Sequence, residues 1–157
     1  MQTYPIVLTH PETLRCVIVG GGPVAERKIR SLLEAGAAAV VCVSPTLTPQ
    51  IAAWREAGLL LWRDRRFAAG DLDGAALVFA ATDDRAVNAA VAAAARSVGA
   101  LANIADAADA GDFHTVATVR RGAALVTIST GGTDPALAAR LRRAIAAALD
   151  AAIDDGP

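Results

Sequence analysis

Apolar runs of strand length alternate along the chain with segments whose apolar positions recur every three or four residues. The run 14–19 is rich in β-branched residues and is typical of a strand buried on both faces. In the segment that follows, apolar residues at spacings of three and four form one helical stripe: Val24, Ala25, Ile29, Leu32 and Leu33. The alternation predicts strands at 14–19, 40–43, 59–62, 75–81 and 100–104 and helices at 23–35, 50–57 and 85–98. Such an order predicts an α/β fold, a doubly wound parallel sheet with helices on both faces.

The pattern changes after about residue 110. Two apolar runs with no helix between them predict two strands, 115–119 and 125–128, joined by Arg120-Arg121-Gly122. A last helix is expected to begin at Pro135, because Asp134 suits a helix N-cap and Pro135 the first helical position. We therefore predict a main domain over residues 1–112 and a smaller strand–strand–helix region over residues 113–157.

The composition narrows the class of protein. Of the 157 residues, 54% are hydrophobic, which is too many for a disordered chain. A net charge of −1 gives no support for an extended nucleic-acid surface. No apolar stretch approaches the roughly 18–20 residues of a membrane span, and the first residues lack the pattern of a signal peptide. We expect a cytoplasmic protein that binds neither membranes nor nucleic acid.

The two cysteines both lie in apolar runs of strand type. Cys16 and Cys42 are therefore expected to be buried, free thiols in a reducing compartment. No group of His, Cys, Asp and Glu residues has the spacing of metal ligands, so we predict no metal site.

A glycine-rich loop follows the first predicted strand. Gly20-Gly21-Gly22-Pro23-Val24-Ala25 matches G-x-G-x-x-A and opens a helix, which is the context that the motif requires. Gly20 permits a tight turn, and Gly22 has no Cβ, so the backbone can approach a pyrophosphate at the helix N-terminus. The loop predicts a Rossmann-like dinucleotide site; the alternative is an ordinary tight turn between strand and helix.

The end of the second strand lacks the acidic residue that commonly holds the adenosine ribose of NAD. The sequence there is Val43-Ser44-Pro45, and Ser44 can make one hydrogen bond to the ribose. No arginine stands there to receive a 2′-phosphate, so the choice between NAD and NADP stays open on these residues.

Two further segments are predicted at the same edge of the sheet. Thr82 and Asp83 follow the fourth strand and are expected to approach the nicotinamide half of the cofactor. The alternative is that Asp83 or Asp84 only caps the next helix. Asp106 follows the fifth strand and is a candidate proton acceptor, or else a solvated loop carboxylate.

Four blocks of the sequence together resemble the precorrin-2 dehydrogenase family. The resemblance covers nearly the whole chain, and the blocks that carry it are Gly20-Gly21-Gly22-Pro23-Val24-Ala25-Glu26-Arg27-Lys28; Ala81-Thr82-Asp83-Asp84 with Val87-Asn88; Asn103-Ile104-Ala105-Asp106; and Ile128-Ser129-Thr130-Gly131-Gly132-Thr133-Asp134-Pro135-Ala136-Leu137-Ala138. The family includes stand-alone dehydrogenases, bifunctional dehydrogenase–ferrochelatases and the N-terminal module of siroheme synthase. The resemblance implies NAD-dependent oxidation of precorrin-2 to sirohydrochlorin on the route to siroheme, and in some lineages to cobalamin. It also implies a homodimer with residues 113–157 as the dimerisation region.

The resemblance implies roles for particular residues as well. The family's important aspartate, linked to dehydrogenation, falls on Asp106, and its NAD contacts fall on Pro23, Val24, Ser44 and Pro45. The implied substrate carries eight carboxylates, which the planar fork of arginine binds at two points. Substrate contacts are therefore expected from His114, Arg120, Arg121 and Arg140. The alternatives are arginines that are solvated or paired with Asp or Glu, and a polar loop histidine.

Two other functions remain open. The first alternative is a bifunctional enzyme that also inserts Fe or Co. We expect the family's C-terminal helical domain to be short or absent in this chain, which would weaken such an activity. The second is a nucleotide-sensing regulatory module without redox activity. Such modules typically keep the acid after the second strand, and they lack the block Ser129-Thr130-Gly131-Gly132.

Overall fold

The structure is a computed structural model that describes residues 4–131 and 133–154. The chain divides into two compact units, one formed by Ile6–Phe113 and the other by the residues from His114 onward with residues 4 and 5. Gly132, which belongs to the last of the four sequence blocks, lies outside the described residues.

The larger unit contains a five-stranded sheet whose neighbouring strands are parallel. The strands are β1 (Arg15–Val19), β2 (Ala39–Val43), β3 (Leu61–Arg63), β4 (Leu77–Ala80) and β5 (Leu101–Ile104). They lie in the order β3-β2-β1-β4-β5, so the chain builds outward from β1 on one side and then crosses to the other. The strand order reverses between β1 and β4, and open α/β sheets bind ligands at the carboxyl edge of such a point.

Helices cover both faces of the sheet, so the predicted doubly wound α/β fold is confirmed. They are α1 (Pro23–Glu34), α2 (Pro49–Glu56) and α3 (Arg85–Ser97). Alternate residues of β1 divide between two hydrophobic cores, with Ile18 in one and Val17 in the other. Helices α1 and α2 contribute Ile29 and Ile51 to the first core, and α3 contributes Val91 to the second.

The connection from β3 to β4 runs along the α3 side of the sheet without an α-helix. Leu72 of this connection is fully buried in the core beside α3. The buried carboxylate of Asp71 accepts hydrogen bonds from Arg63, from Arg65 at 2.6 and 2.8 Å and from the Ala68 N–H at 2.9 Å. Burial raises the pKa of Asp71, but these hydrogen bonds lower it more strongly, to about 2. A buried carboxylate paired with two partly exposed arginines thus fixes a segment that is mostly polar in sequence.

The smaller unit has the predicted strand–strand–helix order. Its elements are β6 (Ala117–Arg121), β7 (Ala124–Ile128) and α4 (Pro135–Asp154). The strands form an antiparallel hairpin, and Val119 and Ile128 are buried in this unit. Helix α4 packs against both strands. The carboxylate of Asp134 accepts the Leu137 N–H at 2.8 Å, so it caps α4 as predicted.

Several predicted strand limits are wrong by one or two residues, as at β4, which begins at Leu77 rather than at residue 75. Two of the differences have a clear physical reason. Strand β3 begins at Leu61 rather than at residue 59, because it is an edge strand that pairs with β2 only from Val41 onward. Arg120 and Arg121 belong to β6 and not to the connection, because Gly122 adopts a left-handed φ of 53° and closes a two-residue turn. Strand β6 is therefore shifted by two residues along the chain, from the predicted 115–119 to Ala117–Arg121.

The cysteine prediction is confirmed: Cys16 and Cys42 are buried and their thiols are free. Among the helices in the described ranges, none combines the length and the apolar character needed to cross a membrane.

Candidate active site

Loops from three strands meet at the carboxyl edge where the strand order reverses: residues 20–22 after β1, 44–48 after β2 and 81–84 after β4. Gly20 has a φ of 117°, and a Cβ atom on it would lie 2.4 Å from the carbonyl oxygen of Ala81. Only glycine fits at this position, and its absence of a side chain lets the β1 loop contact the β4 loop.

Gly21 approaches the loop after β2 even more closely. A Cβ atom on Gly21 would lie 1.9 Å from the carbonyl oxygen of Thr46 and 2.9 Å from Oγ of Ser44. The Gly21 carbonyl accepts the Thr48 N–H at 2.9 Å. Sequence reasoning missed this requirement, because the glycine motif leaves its second position unspecified.

Gly22 and the start of α1 face open space instead. A Cβ atom on Gly22 would meet no atom within 4 Å. Gly22 is the N-cap of α1 and provides no side-chain hydrogen bond, and the exposed residues Pro23 and Val24 follow it. The N–H groups in the first turn of a helix have no partner within the helix, and together with the helix dipole they favour an anion. The residues present therefore fit the pyrophosphate of a dinucleotide.

The residues expected to contact the ribose lie at the same edge of the sheet. Ser44 is buried, its Oγ accepts the Thr46 N–H at 3.4 Å, and its carbonyl accepts the indole N–H of Trp62 at 2.8 Å. Pro45 is exposed. No carboxylate stands among residues 44–48, so this loop does not distinguish NAD from NADP.

The β4 loop divides its polar residues between two tasks. Asp84 caps α3, because its Oδ1 accepts the N–H groups of Ala86 and Val87 at 2.8 and 3.2 Å. Of the two capping candidates, Asp84 therefore makes the cap, and Asp83 is exposed at the edge of the sheet. The hydroxyl of Thr82 donates toward α3, where it lies 2.7 Å from Oδ1 of Asn88.

Asp106 is joined to this loop through α3. Its Oδ1 accepts a hydrogen bond from Nδ2 of Asn88 at 2.7 Å, and its Oδ2 lies 3.5 Å from Nε of Arg85. The Asp106 side chain is 31% exposed, whereas Asn88 is 1% exposed. One carboxylate oxygen is thus anchored on a buried amide while the side chain still reaches solvent, an arrangement suited to accepting a proton from a bound molecule.

Sequence reasoning did not select Asn88 or Arg85 as site residues. For Asn88 a signal was available, because it stands at helical spacing with the buried residues Val91, Ala92 and Ala95. A buried polar side chain on an apolar helix face needs a hydrogen-bond partner, and Asp106 is one of the groups that provide it. Arg85 carried no comparable signal, because it is an exposed residue in the first turn of α3.

The other predicted substrate residues belong to the smaller unit. Arg121 pairs with Asp150 of α4, with Nη2 3.0 Å from Oδ2, and this hydrogen-bonded pairing lowers the pKa of Asp150. Arg120 and Arg140 are exposed, and His114 is partly buried. Across the described part of the chain, no group of three or more His, Cys, Asp and Glu residues is arranged to hold a metal ion.

The parallel sheet, its reversal of strand order and the open glycine loop define a dinucleotide-binding domain of the Rossmann type. In agreement, a family model described as putative NAD(P)-binding matches residues 7–117. Among curated proteins, the siroheme synthase of Methylococcus capsulatus is 46% identical over 145 residues, which cover 92% of this chain and 30% of that protein. The siroheme synthase of Gluconacetobacter diazotrophicus is 42% identical over 146 residues, 89% of this chain and 30% of that protein.

A solved structure gives the same result. SirC, a precorrin-2 dehydrogenase, matches with a TM-score of 0.75 and 30% sequence identity, over 92% of this chain and 70% of that one. The chain belongs to the putative NAD(P)-binding family and to the precorrin-2 dehydrogenases within it. It spans about 30% of the length of the siroheme synthases named above.

Proposed function

We propose that the protein catalyses the NAD-dependent oxidation of precorrin-2 to sirohydrochlorin, in the biosynthesis of siroheme or of cobalamin. The observation that carries the proposal is the position of Asp106, which is linked through Asn88 to the β4 loop that contacts Gly20. Membership of the family supplies the substrate.

The reaction removes two hydrogens from the tetrapyrrole. NAD supplies the acceptor for the hydride, and the protein must orient the substrate and take up one proton. Asp106 is the proposed proton acceptor, through the oxygen that Asn88 does not bind. Gly22, Pro23 and Val24 are proposed to receive the pyrophosphate. Around them, Ser44 and Pro45 are proposed to contact the ribose, and Thr82 and Asp83 the nicotinamide half.

The carboxylates of the substrate require cationic partners. Arg120 and Arg140 are exposed and are proposed to bind them, with His114 as a further polar contact. Arg121 belongs to the same set, but it would have to exchange its bond to Asp150 for one to the substrate.

We also propose that residues 1–112 act as the nucleotide-binding domain and that residues 113–157 form the contact of a cytoplasmic homodimer. The apolar side chains of Val116 and Leu141, both in this region, are 40% and 39% exposed, and association would cover such surface. Sedimentation of the intact chain tests this, since a monomer at all concentrations would contradict it.

The decisive experiment is turnover of precorrin-2 by the purified chain, with NAD and NADP compared at equal concentrations. Appearance of the sirohydrochlorin spectrum with NAD is the expected result. The Asp106→Ala variant should lose turnover by about 100-fold or more while it still binds NAD. Binding of NAD by the unaltered chain without any turnover would reject the proposed reaction.

A further inference from the structure

We propose that Asn88 is a positioning residue for Asp106, an inference that rests on the proposed function. Asn88 lies in the second turn of α3, one turn after the cap residue Asp84, and its side chain is 1% exposed. All of its amide atoms are used. Nδ2 donates to the carbonyl of Thr82 at 3.0 Å and to Oδ1 of Asp106 at 2.7 Å. Oδ1 accepts from the hydroxyl and the N–H of Thr82 at 2.7 and 3.3 Å.

These partners allow only one orientation of the Asn88 amide. The N–H of Thr82 is always a donor and its carbonyl always an acceptor. A rotated amide would place Nδ2 against the first and Oδ1 against the second, and would also set Oδ1 against the carboxylate of Asp106. The backbone of Thr82 therefore makes Asn88 a hydrogen-bond donor to Asp106.

This donor fixes the two oxygens of Asp106 in different roles. Oδ1 receives a charge-assisted hydrogen bond from a buried group and cannot turn without breaking it. Oδ2 faces Arg85, whose side chain is 86% exposed. The pairing with Arg85 is weak at that exposure, so Oδ2 is the oxygen that Asn88 leaves available for a substrate proton.

The same residue connects Asp106 to the cofactor loop by direct contacts. Gly20 touches the Ala81–Thr82 peptide, Thr82 makes three hydrogen bonds with Asn88, and Asn88 bonds Asp106. Removing Asn88 should therefore misplace the proton acceptor relative to the cofactor without removing either. Misplacement of this kind lowers the rate of the chemical step more than it lowers binding.

A double-mutant cycle of Asn88→Ala and Asp106→Ala tests the inference on the full chain. We expect Asn88→Ala to lower kcat between about 10- and 100-fold, with the KM for precorrin-2 and the Kd for NAD changed less than about threefold. In the Asp106→Ala background the same change should cost much less activity, because the part of its effect that passes through Asp106 is then already lost. Equal losses in both backgrounds would overturn the inference and assign Asn88 a purely structural role.

A second readout does not depend on activity. Urea unfolding is measured for the unaltered chain, the two single variants and the double variant. Asn88→Ala should shift the urea midpoint less when residue 106 is already alanine, because the bond between Asn88 and Asp106 is then already missing. Asn103→Ala is the matched control. Asn103 is also buried, at 5% exposed, but it donates to the Phe113 carbonyl at 2.8 Å, so its effects should add to those of Asp106→Ala.

Asn88→Asp guards against the case in which Asn88→Ala does not fold. It keeps an oxygen for the Thr82 N–H and replaces the nitrogen that donates to both Asp106 and the Thr82 carbonyl. Activity should be low at pH 8 and recover in part toward pH 6, as a shared proton restores the bond to Asp106. A wild-type level of activity at pH 8 would overturn the inference. Absence of turnover by the unaltered chain would instead remove the proposed reaction, and the inference with it, so the two failures are distinguishable.

Discussion

Gly21 and Thr46 lie so close that a Cβ atom on Gly21 would stand 1.9 Å from the Thr46 carbonyl oxygen. The next residue, Gly22, would place its Cβ in open space at an ordinary φ of −87°. Two adjacent glycines of one loop thus serve different purposes: Gly21 permits the contact between two loops, and Gly22 leaves room for a ligand.

The pair Gly22→Ala and Gly21→Ala tests this difference. Gly22→Ala should melt within a few degrees of the unaltered chain but bind NAD about tenfold or more weakly, a loss of about 1.4 kcal/mol. Gly21→Ala should lower the free energy of unfolding by about 1–3 kcal/mol, because the loops must separate to admit the methyl group. Thermal unfolding and titration with NAD provide the measurements. Normal NAD affinity in Gly22→Ala would show that the pyrophosphate does not lie against this residue.

Arg85 should act on substrate binding and not on the fold. It is an exposed cation within 3.5 Å of Asp106, placed where a carboxylate of the tetrapyrrole could bind. Arg85→Ala should raise the KM for precorrin-2 about three- to tenfold. Arg85→Lys should give a KM between those of the alanine variant and the unaltered chain, because lysine keeps the charge but lacks the planar fork. The control is Arg96→Ala, at the other end of α3, which should leave KM unchanged. Equal KM values for both alanine variants would contradict the assignment.

Asp71 should make the free energy of unfolding of the larger unit depend on pH below about pH 4. The pKa of Asp71 is lowered from 3.8 to about 2, so its carboxylate stabilises the folded state above about pH 4 and this contribution is lost as the pH falls toward 2. This lowering of the pKa corresponds to a contribution of roughly 2 kcal/mol to the free energy of unfolding. Asp71→Asn should therefore be less stable at pH 7 by about 2–3 kcal/mol and lose less on acidification.

Urea unfolding at pH 7 and pH 2.5 measures this difference. Asp64→Asn is the control, because Asp64 belongs to the same connection but is exposed. Identical losses of stability for the unaltered chain and Asp71→Asn between these pH values would refute the role given to Asp71.

The thiols of Cys16 and Cys42 should not react with thiol reagents in the folded protein. Burial raises the pKa of Cys16 to about 11 and that of Cys42 to about 12, so neither carries a reactive thiolate at pH 8. Titration with a thiol-specific disulfide reagent at pH 8 should detect no thiol in the native chain and two after unfolding in urea. Rapid reaction of either cysteine in the native protein would show that its strand opens readily.

The prediction from sequence succeeded where one local pattern determines the structure. Strand β1 and helix α1 follow from the apolar run 14–19 and from the glycine loop that begins the helix, and both are present. The start of β3 could not be predicted in the same way. Residues 59 and 60 are as apolar as Leu61, and only the pairing with β2 decides where the strand begins.

The site was predictable in its backbone but not in its side-chain connections. The carboxyl ends of β1, β4 and β5 carry Gly20, Thr82 and Asp106 because a parallel sheet gathers these ends at one edge. The bond from Asn88 to Asp106 joins residues 18 positions apart, and no local pattern determines which buried polar groups will meet. For Asp83 and Asp84, either residue could cap α3 by sequence, and only the backbone geometry selects Asp84.

Strand β1 occupies the middle of the sheet, with β2 and β4 hydrogen-bonded on either side of it, and Gly20 extends this pairing through its N–H to the Val43 carbonyl at 2.9 Å. The backbone amides of β1 should be among the slowest in the larger unit to exchange hydrogen with solvent, because edge strands fray before central ones. The glycine loop is the direct continuation of this strand. Fraying at β3 would release the bond from Trp62 to Ser44 but would leave residues 20–22 in place. The contacts to the pyrophosphate should therefore outlast those to the ribose when the edges of the sheet unfold.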